Sequence, residues 1–163
     1  MQLVIDTNVV LAYLISGSAR SSNTEVCRRV VNGLDKAFTC DIFYGELKRL
    51  LDLDPDLIEK ISLSGKKEGA VFRALHNVRT EYLNARLDPY VMQLKFVKTE
   101  NLTIDPSAIK DVGNDWYMIS IAKSVSIDYI VTWNTKDVLK YAVRNGINVK
   151  RILEPPKYLE LLK

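Results

Sequence analysis

The chain has 163 residues, 47% hydrophobic and 26% charged, which fits one domain with a sizeable core. No apolar run is long enough to span a bilayer, and Asp6 interrupts the first apolar run too early for a signal peptide, so the expectation is a cytoplasmic protein without a membrane partner. The net charge of +3 is too mild to argue for a polyanionic partner, and the single histidine, His76, leaves almost no material for a histidine-based metal site or triad.

The first apolar run, Leu3-Val4-Ile5, has no alternation and predicts a buried strand of a parallel sheet. It runs into Asp6, then Thr7 and Asn8, either of which suits the N-cap of a helix formed by the second run, Val9 to Ile15. Asp6 therefore sits at the C-terminal end of a strand, the edge where open α/β sheets bind ligands. A plain helix cap is the competing reading for Asp6. A polar break over 16–22 follows, then a helix from Asn23 or Thr24 to Gly33, and a short strand at Ala37-Phe38-Thr39-Cys40. Cys27 and Cys40 have neither metal-ligand spacing nor a disulfide pattern and read as buried thiols.

Asp41 caps a helix to about Asp52 whose apolar stripe is Ile42, Phe43, Leu47, Leu50 and Leu51. Glu46 lies within that stripe, so it needs a partner: a metal, a buried salt bridge, or an edge position open to water. The section from about 54 to 98 reads as helical, with Val71, Phe72, Leu75, Val78, Tyr82 and Leu83 at helical spacing. Its basic residues form a solvated face or a backbone-binding arm. Leu102-Thr103-Ile104 is a candidate third strand.

Asp115 opens the helix Trp116–Val125 on the same face as Met118 and Ile119, although an acid there also serves simply as a first-turn anion against the helix dipole. Tyr129-Ile130-Val131-Thr132 is the second clear buried strand, followed by Asn134 and Asp137, which fit a capping-box pattern with Asp in place of Glu. A helix to Gly146, a strand over 148–153 and a short helix opened by Pro155-Pro156 complete the chain.

Strands alternating with helices predict a three-layer α/β/α sandwich with a central parallel sheet, as one domain over 1–163. The Leu3 and Tyr129 strands are expected to be neighbours, which brings Asp6 to the Asn134/Asp137 turn, with Glu46 and Asp115 reaching the same edge. Clustered carboxylates repel, and their pKa values rise unless cations bind. Oxygen ligands without His or Cys suit Mg2+ or Mn2+, ions that activate water and stabilise charge in phosphodiester displacement.

Four segments together resemble the PIN-domain ribonuclease family: Val4-Ile5-Asp6-Thr7-Asn8-Val9, Ile42-Phe43-Tyr44-Gly45-Glu46-Leu47, Asn114-Asp115-Trp116-Tyr117-Met118, and Asp128 to Asp137. The closing Ile152-Leu153-Glu154-Pro155-Pro156 is similar as well. The resemblance implies a metal-dependent endoribonuclease in which Asp6, Glu46 and Asp115 bind Mg2+ or Mn2+. Many members carry Asp at the position of Asn134; others have Asn there and Asp three later, as here. By that pattern Asp137 supplies a fourth carboxylate, with Thr7, Asn8, Thr132 and Asn134 in support, and a neutral Asn134 would weaken the second metal position. Stand-alone members are often toxins neutralised by a small antitoxin protein, and the family often forms homodimers. The alternatives are a non-catalytic RNA-binding PIN-like domain in a larger complex, and a carboxylate-metal phosphatase on a doubly wound sheet. Arg20, Arg28, Arg29, Lys48, Arg49, Arg73 and Arg79 are candidate phosphate contacts.

Overall fold

The computed structural model describes residues 1–15, 20–51, 80–103 and 115–163. The helical pattern expected over 54–79, the residue Ile104 and the polar loop at 110–114 lie outside the described residues.

In chain order the described elements are β1 (Gln2–Ile5), α1 (Thr7–Ile15), α2 (Ser22–Val31), β2 (Lys36–Thr39), α3 (Asp41–Leu51), α4 (Thr80–Val91), β3 (Lys95–Phe96), α5 (Trp116–Ser124), β4 (Tyr129–Val131), α6 (Thr135–Arg144), β5 (Ile152–Leu153) and α7 (Pro155–Glu160). The five strands form one sheet in the order β3-β2-β1-β4-β5, and every pairing is parallel. This is the expected α/β/α sandwich with a central parallel sheet. Helices cover both faces, so Leu3, Val4, Ile130 and Val131 are buried, and the absence of alternation in their segments follows. α1 packs on α2, α3 and α4, α7 packs on α2, and α5 packs on α6 and against β1 and β2.

The strand order reverses at β1. From β1 the chain builds outward to β2 and β3, then returns to place β4 on the other side. A crevice opens at such a reversal, outside the C-terminal ends of the two central strands. The register sets Ile5 beside Val131, so Asp6 and Thr132 are the first residues past the sheet on either side of the crevice.

Three expectations change. The third strand is Lys95–Phe96, inside the section expected to be helical, and Leu102 and Thr103 are not in the sheet. Leu102 is buried after the turn at Thr99–Asn101, so its apolar character serves packing rather than strand pairing. β3 is an exposed two-residue edge strand carrying a lysine, too short to show the pattern of a buried strand. The last strand shrinks to Ile152–Leu153, because Val149–Arg151 form a helical turn.

An anchor outside the crevice holds the sandwich closed. The Asp35 side chain, fully buried, accepts hydrogen bonds from Arg29 Nε at 2.7 Å, from the Tyr158 hydroxyl at 2.7 Å and from the Met1 amine at 3.1 Å. Burial alone would raise the pKa of Asp35, but these donors prevail and hold it below the ordinary carboxylate value. The group ties α2, the start of β2 and α7 together.

Candidate carboxylate site

Asp6 is the centre of the site. It follows β1 directly, its backbone carbonyl accepts the N–H groups of Val9 and Val10, and its side-chain Oδ1 accepts the Asn8 N–H at 3.0 Å. Asp6 itself, rather than Thr7 or Asn8, therefore caps α1. This frees the Thr7 side chain for another task and confines the contribution of Asn8 to its backbone, while its side chain is exposed. Capping is only half of what Asp6 does. Across the crevice the Thr132 hydroxyl donates to Asp6 Oδ2, and the same oxygen of Thr132 accepts the Asn134 N–H at 2.9 Å.

Asp6 is completely buried. Its pKa is pushed up to about 7, first by burial and then by the negative charge of Asp115, with Glu46 adding to the same direction; the bonds from Thr132 and Asn8 partly offset the rise. Carboxylates from two other elements thus act on Asp6 at the crevice.

Glu46 stands on the second turn of α3, half-buried, between the buried Phe43 and Leu47. Its partner is not a cation. Thr7 donates its hydroxyl proton to Glu46 Oε2 at 2.8 Å, and among the described residues Glu46 makes no ion pair. The Tyr117 hydroxyl lies 3.3 Å from Thr7 Oγ1. Thr7 has already given its single proton to Glu46, so Tyr117 donates to Thr7. Burial, followed by the charge of Asp6, keeps the Tyr117 phenol far above its ordinary pKa and therefore protonated.

Asp115 immediately precedes α5, but its side chain makes no capping hydrogen bond there. Instead Asp115 Oδ2 accepts the side-chain N–H of Asn134 at 3.0 Å. Asn134 likewise does not cap α6 with its side chain, so the expected capping box is absent. The residue links the two sides of the site: its backbone N–H steadies Thr132 against Asp6, and its amide holds Asp115. A neutral donor is needed for the second bond, since an aspartate at 134 would repel Asp115.

Asp137 is placed in the first turn of α6. It is not among the charges that move Asp6, and the hydrogen-bond chain through Asp6, Glu46 and Asp115 runs without it. Among the described residues, no three Asp, Glu, His or Cys side chains are already gathered closely enough to hold a metal ion. The donor set fits a hard divalent cation by its chemistry: it is all oxygen, it is negatively charged, and its most buried member is held in an environment that disfavours ionisation.

Sequence reasoning missed Tyr117, Trp133 and Asp35. Tyr117 lies two residues from Asp115 in a helix buried on nearly every side, so no amphipathic pattern singles it out. Of the candidate phosphate contacts, Arg29 is committed to the buried Asp35, and Arg28 makes an exposed ion pair with Glu25 at 3.2 Å. Arg86 from the middle section lies 4.4 Å over the Tyr13 ring. His76, Arg73 and Arg79 lie outside the described residues. Among the described residues, no helix is long and apolar enough to cross a membrane.

No family model matches this chain, and no curated protein or solved structure matches it either.

Proposed function

We propose that the protein is a metal-dependent endoribonuclease of the PIN kind, hydrolysing RNA phosphodiester bonds at the crevice between β1 and β4. One observation carries the reading: a completely buried aspartate at the point of strand-order reversal, its pKa raised toward neutrality first by burial and then by two further carboxylates from separate elements. Burying this charge among other acids opposes folding unless a proton or a cation neutralises it, a cost that capping α1 does not require.

Asp6, Glu46 and Asp115 would hold Mg2+ or Mn2+. When bound, such a cation supplies Lewis acidity and a nucleophilic water for in-line attack on a phosphodiester. The chain's own residues set the stage. Thr132 and the Asn8 N–H fix both oxygens of Asp6, Thr7 fixes one oxygen of Glu46, and Asn134 fixes one of Asp115. Each carboxylate keeps lone pairs beyond those used, which leaves donor capacity for a cation. Asp137, in the first turn of α6, has a secondary role in this assignment. The role of toxin, a small antitoxin covering the acids, and a homodimer rest on the family resemblance alone.

The test is cleavage of a mixed-sequence single-stranded RNA with Mg2+, Mn2+ or a chelator, wild type beside Asp6→Asn. Metal-dependent cleavage that the variant loses supports the reading. Folded protein that cleaves no RNA with either metal, yet binds it, moves the assignment to a non-catalytic RNA-binding domain. Hydrolysis of small phosphate esters instead of RNA moves it to a phosphatase.

A further inference from the structure

Between the two residues that hold the acids, Thr132 and Asn134, stands Trp133. Its neighbours in sequence turn inward, Thr132 to Asp6 and Asn134 to Asp115. Trp133 does not: it is 43% exposed, whereas the other tryptophan, Trp116, is 5% exposed. A large indole left in water at the lip of a polar site loses the hydrophobic gain that burial would provide. Its one polar atom is already used, since Nε1–H donates to Asn23 Oδ1 on α2 at 2.9 Å. The bond tethers the ring to α2, and the exposed part of the indole has no donor to spare.

We infer that Trp133 is a stacking platform that receives a base of a single-stranded polynucleotide and positions the adjoining phosphodiester over the carboxylates. The inference rests on the nuclease reading for its substrate class. Any base presents a π-face, so stacking here holds the strand without reading its sequence. A base paired within a duplex stays stacked on its neighbours, so the platform favours unpaired RNA. Asn23 is a positioning residue for the ring and touches no substrate.

The experiment uses the full chain carrying Asp6→Asn, in chelator, so that nothing is cleaved. The probes are a short oligouridylate, the same ribose-phosphate backbone made abasic throughout, and an RNA hairpin. The readouts are quenching of tryptophan fluorescence and affinity. Trp133→Phe reports the contribution of the buried Trp116, and circular dichroism checks the fold of each variant. The oligouridylate is expected to quench, the abasic strand and the hairpin are not, and Trp133→Ala is expected to weaken oligouridylate binding about tenfold, with Trp133→Phe retaining most of the affinity. In the cleavage-competent chain the same loss appears in kcat/KM for the single-stranded RNA, the measure of transition-state stabilisation relative to free enzyme and substrate. Equal affinity of Trp133→Ala and its parent, or equal quenching by the abasic strand, overturns the inference. The two readings fail separately: cleavage that is indifferent to Trp133 removes only this one, and stacking by a protein that cleaves nothing removes only the nuclease.

Discussion

Replacing Asp6 by Asn should change the stability of the metal-free protein by an amount that depends on pH, and the sign follows from the site. The carboxyl is raised from 3.8 to about 7 in the folded state. A raised carboxyl binds its proton more tightly when folded, so its contribution is most favourable below the unfolded pKa and is lost as pH rises through the folded one. The full shift corresponds to a penalty of about 4 kcal/mol above neutrality. Asn carries no charge and escapes it. The variant has its own fixed defect: the Thr132 hydroxyl can no longer donate where Nδ2 replaces Oδ2, a loss of about 1–3 kcal/mol. That defect does not titrate. Between about pH 5 and about pH 8.5, therefore, the stability difference should move by about 3 kcal/mol in favour of the variant. Urea unfolding followed by circular dichroism in chelator measures it. A difference that stays constant over this range would refute the reasoning, because Asp6 would then be ionised without strain. Adding Mg2+ at about pH 8.5 should stabilise the wild type, by about 2.7 kcal/mol at a hundredfold excess over Kd, and leave the variant unmoved. Equal stabilisation of both would remove Asp6 from the metal site.

Further outcomes follow from the same geometry. Glu46→Gln and Asp115→Asn should each abolish RNA cleavage, whereas Asp137→Asn should reduce it by no more than about tenfold, since a helix-terminal acid outside the cluster contributes only about 0.3–1 kcal/mol through the dipole; single-turnover cleavage rates of the three separate these roles. Asn134→Asp exchanges the donor on Asp115 for a fourth carboxylate, so the metal-free protein should lose about 1–3 kcal/mol above neutral pH and bind Mn2+ more tightly, which unfolding and metal titration would show. Asp35→Ala leaves the Arg29 guanidinium without its buried partner and should destabilise by about 3–5 kcal/mol, with no effect on metal affinity. Because the pKa of Asp35 is lowered, its contribution is present above the unfolded carboxylate value and disappears as pH falls through the folded one, so wild type and Asp35→Asn should converge in stability in acid.

The sheet was legible where residues are buried on both faces. Leu3-Val4-Ile5 and Tyr129-Ile130-Val131 announce themselves by continuous apolar runs, because every position in them but the half-buried Tyr129 is shut away from water. β3 was hidden for the opposite reason: it is a two-residue edge strand exposed at both positions, too short for a strand period to show. Of the site, Asp6, Glu46 and Asp115 could be singled out because a carboxylate among apolar residues conflicts with its surroundings. Their partners were only partly legible. Thr7 and Thr132 flank the right strands, but the bond from Thr132 to Asp6 spans 126 positions, and no local period encodes it. Glu46 was expected to need a cation or water; that a threonine hydroxyl serves depends on Asp6 having taken the capping role, a competition between two adjacent residues that propensity does not resolve.

The reversal of strand order at β1 also governs when the site comes into being. Asp6 is made near the start of synthesis, yet the hydroxyl that clamps it and the amide that holds Asp115 belong to residues 132 and 134 of 163. Synthesis and folding proceed from the N-terminus, so a nascent chain bearing β1, β2 and β3 has two edges of its sheet but no crevice. Until β4 emerges and docks on β1, Asp6 lacks the Thr132 hydroxyl that it accepts in the complete fold. The site thus stays unassembled for most of translation, and a chain terminated between Asp115 and Thr132 carries all three acids without the frame that would make them act together.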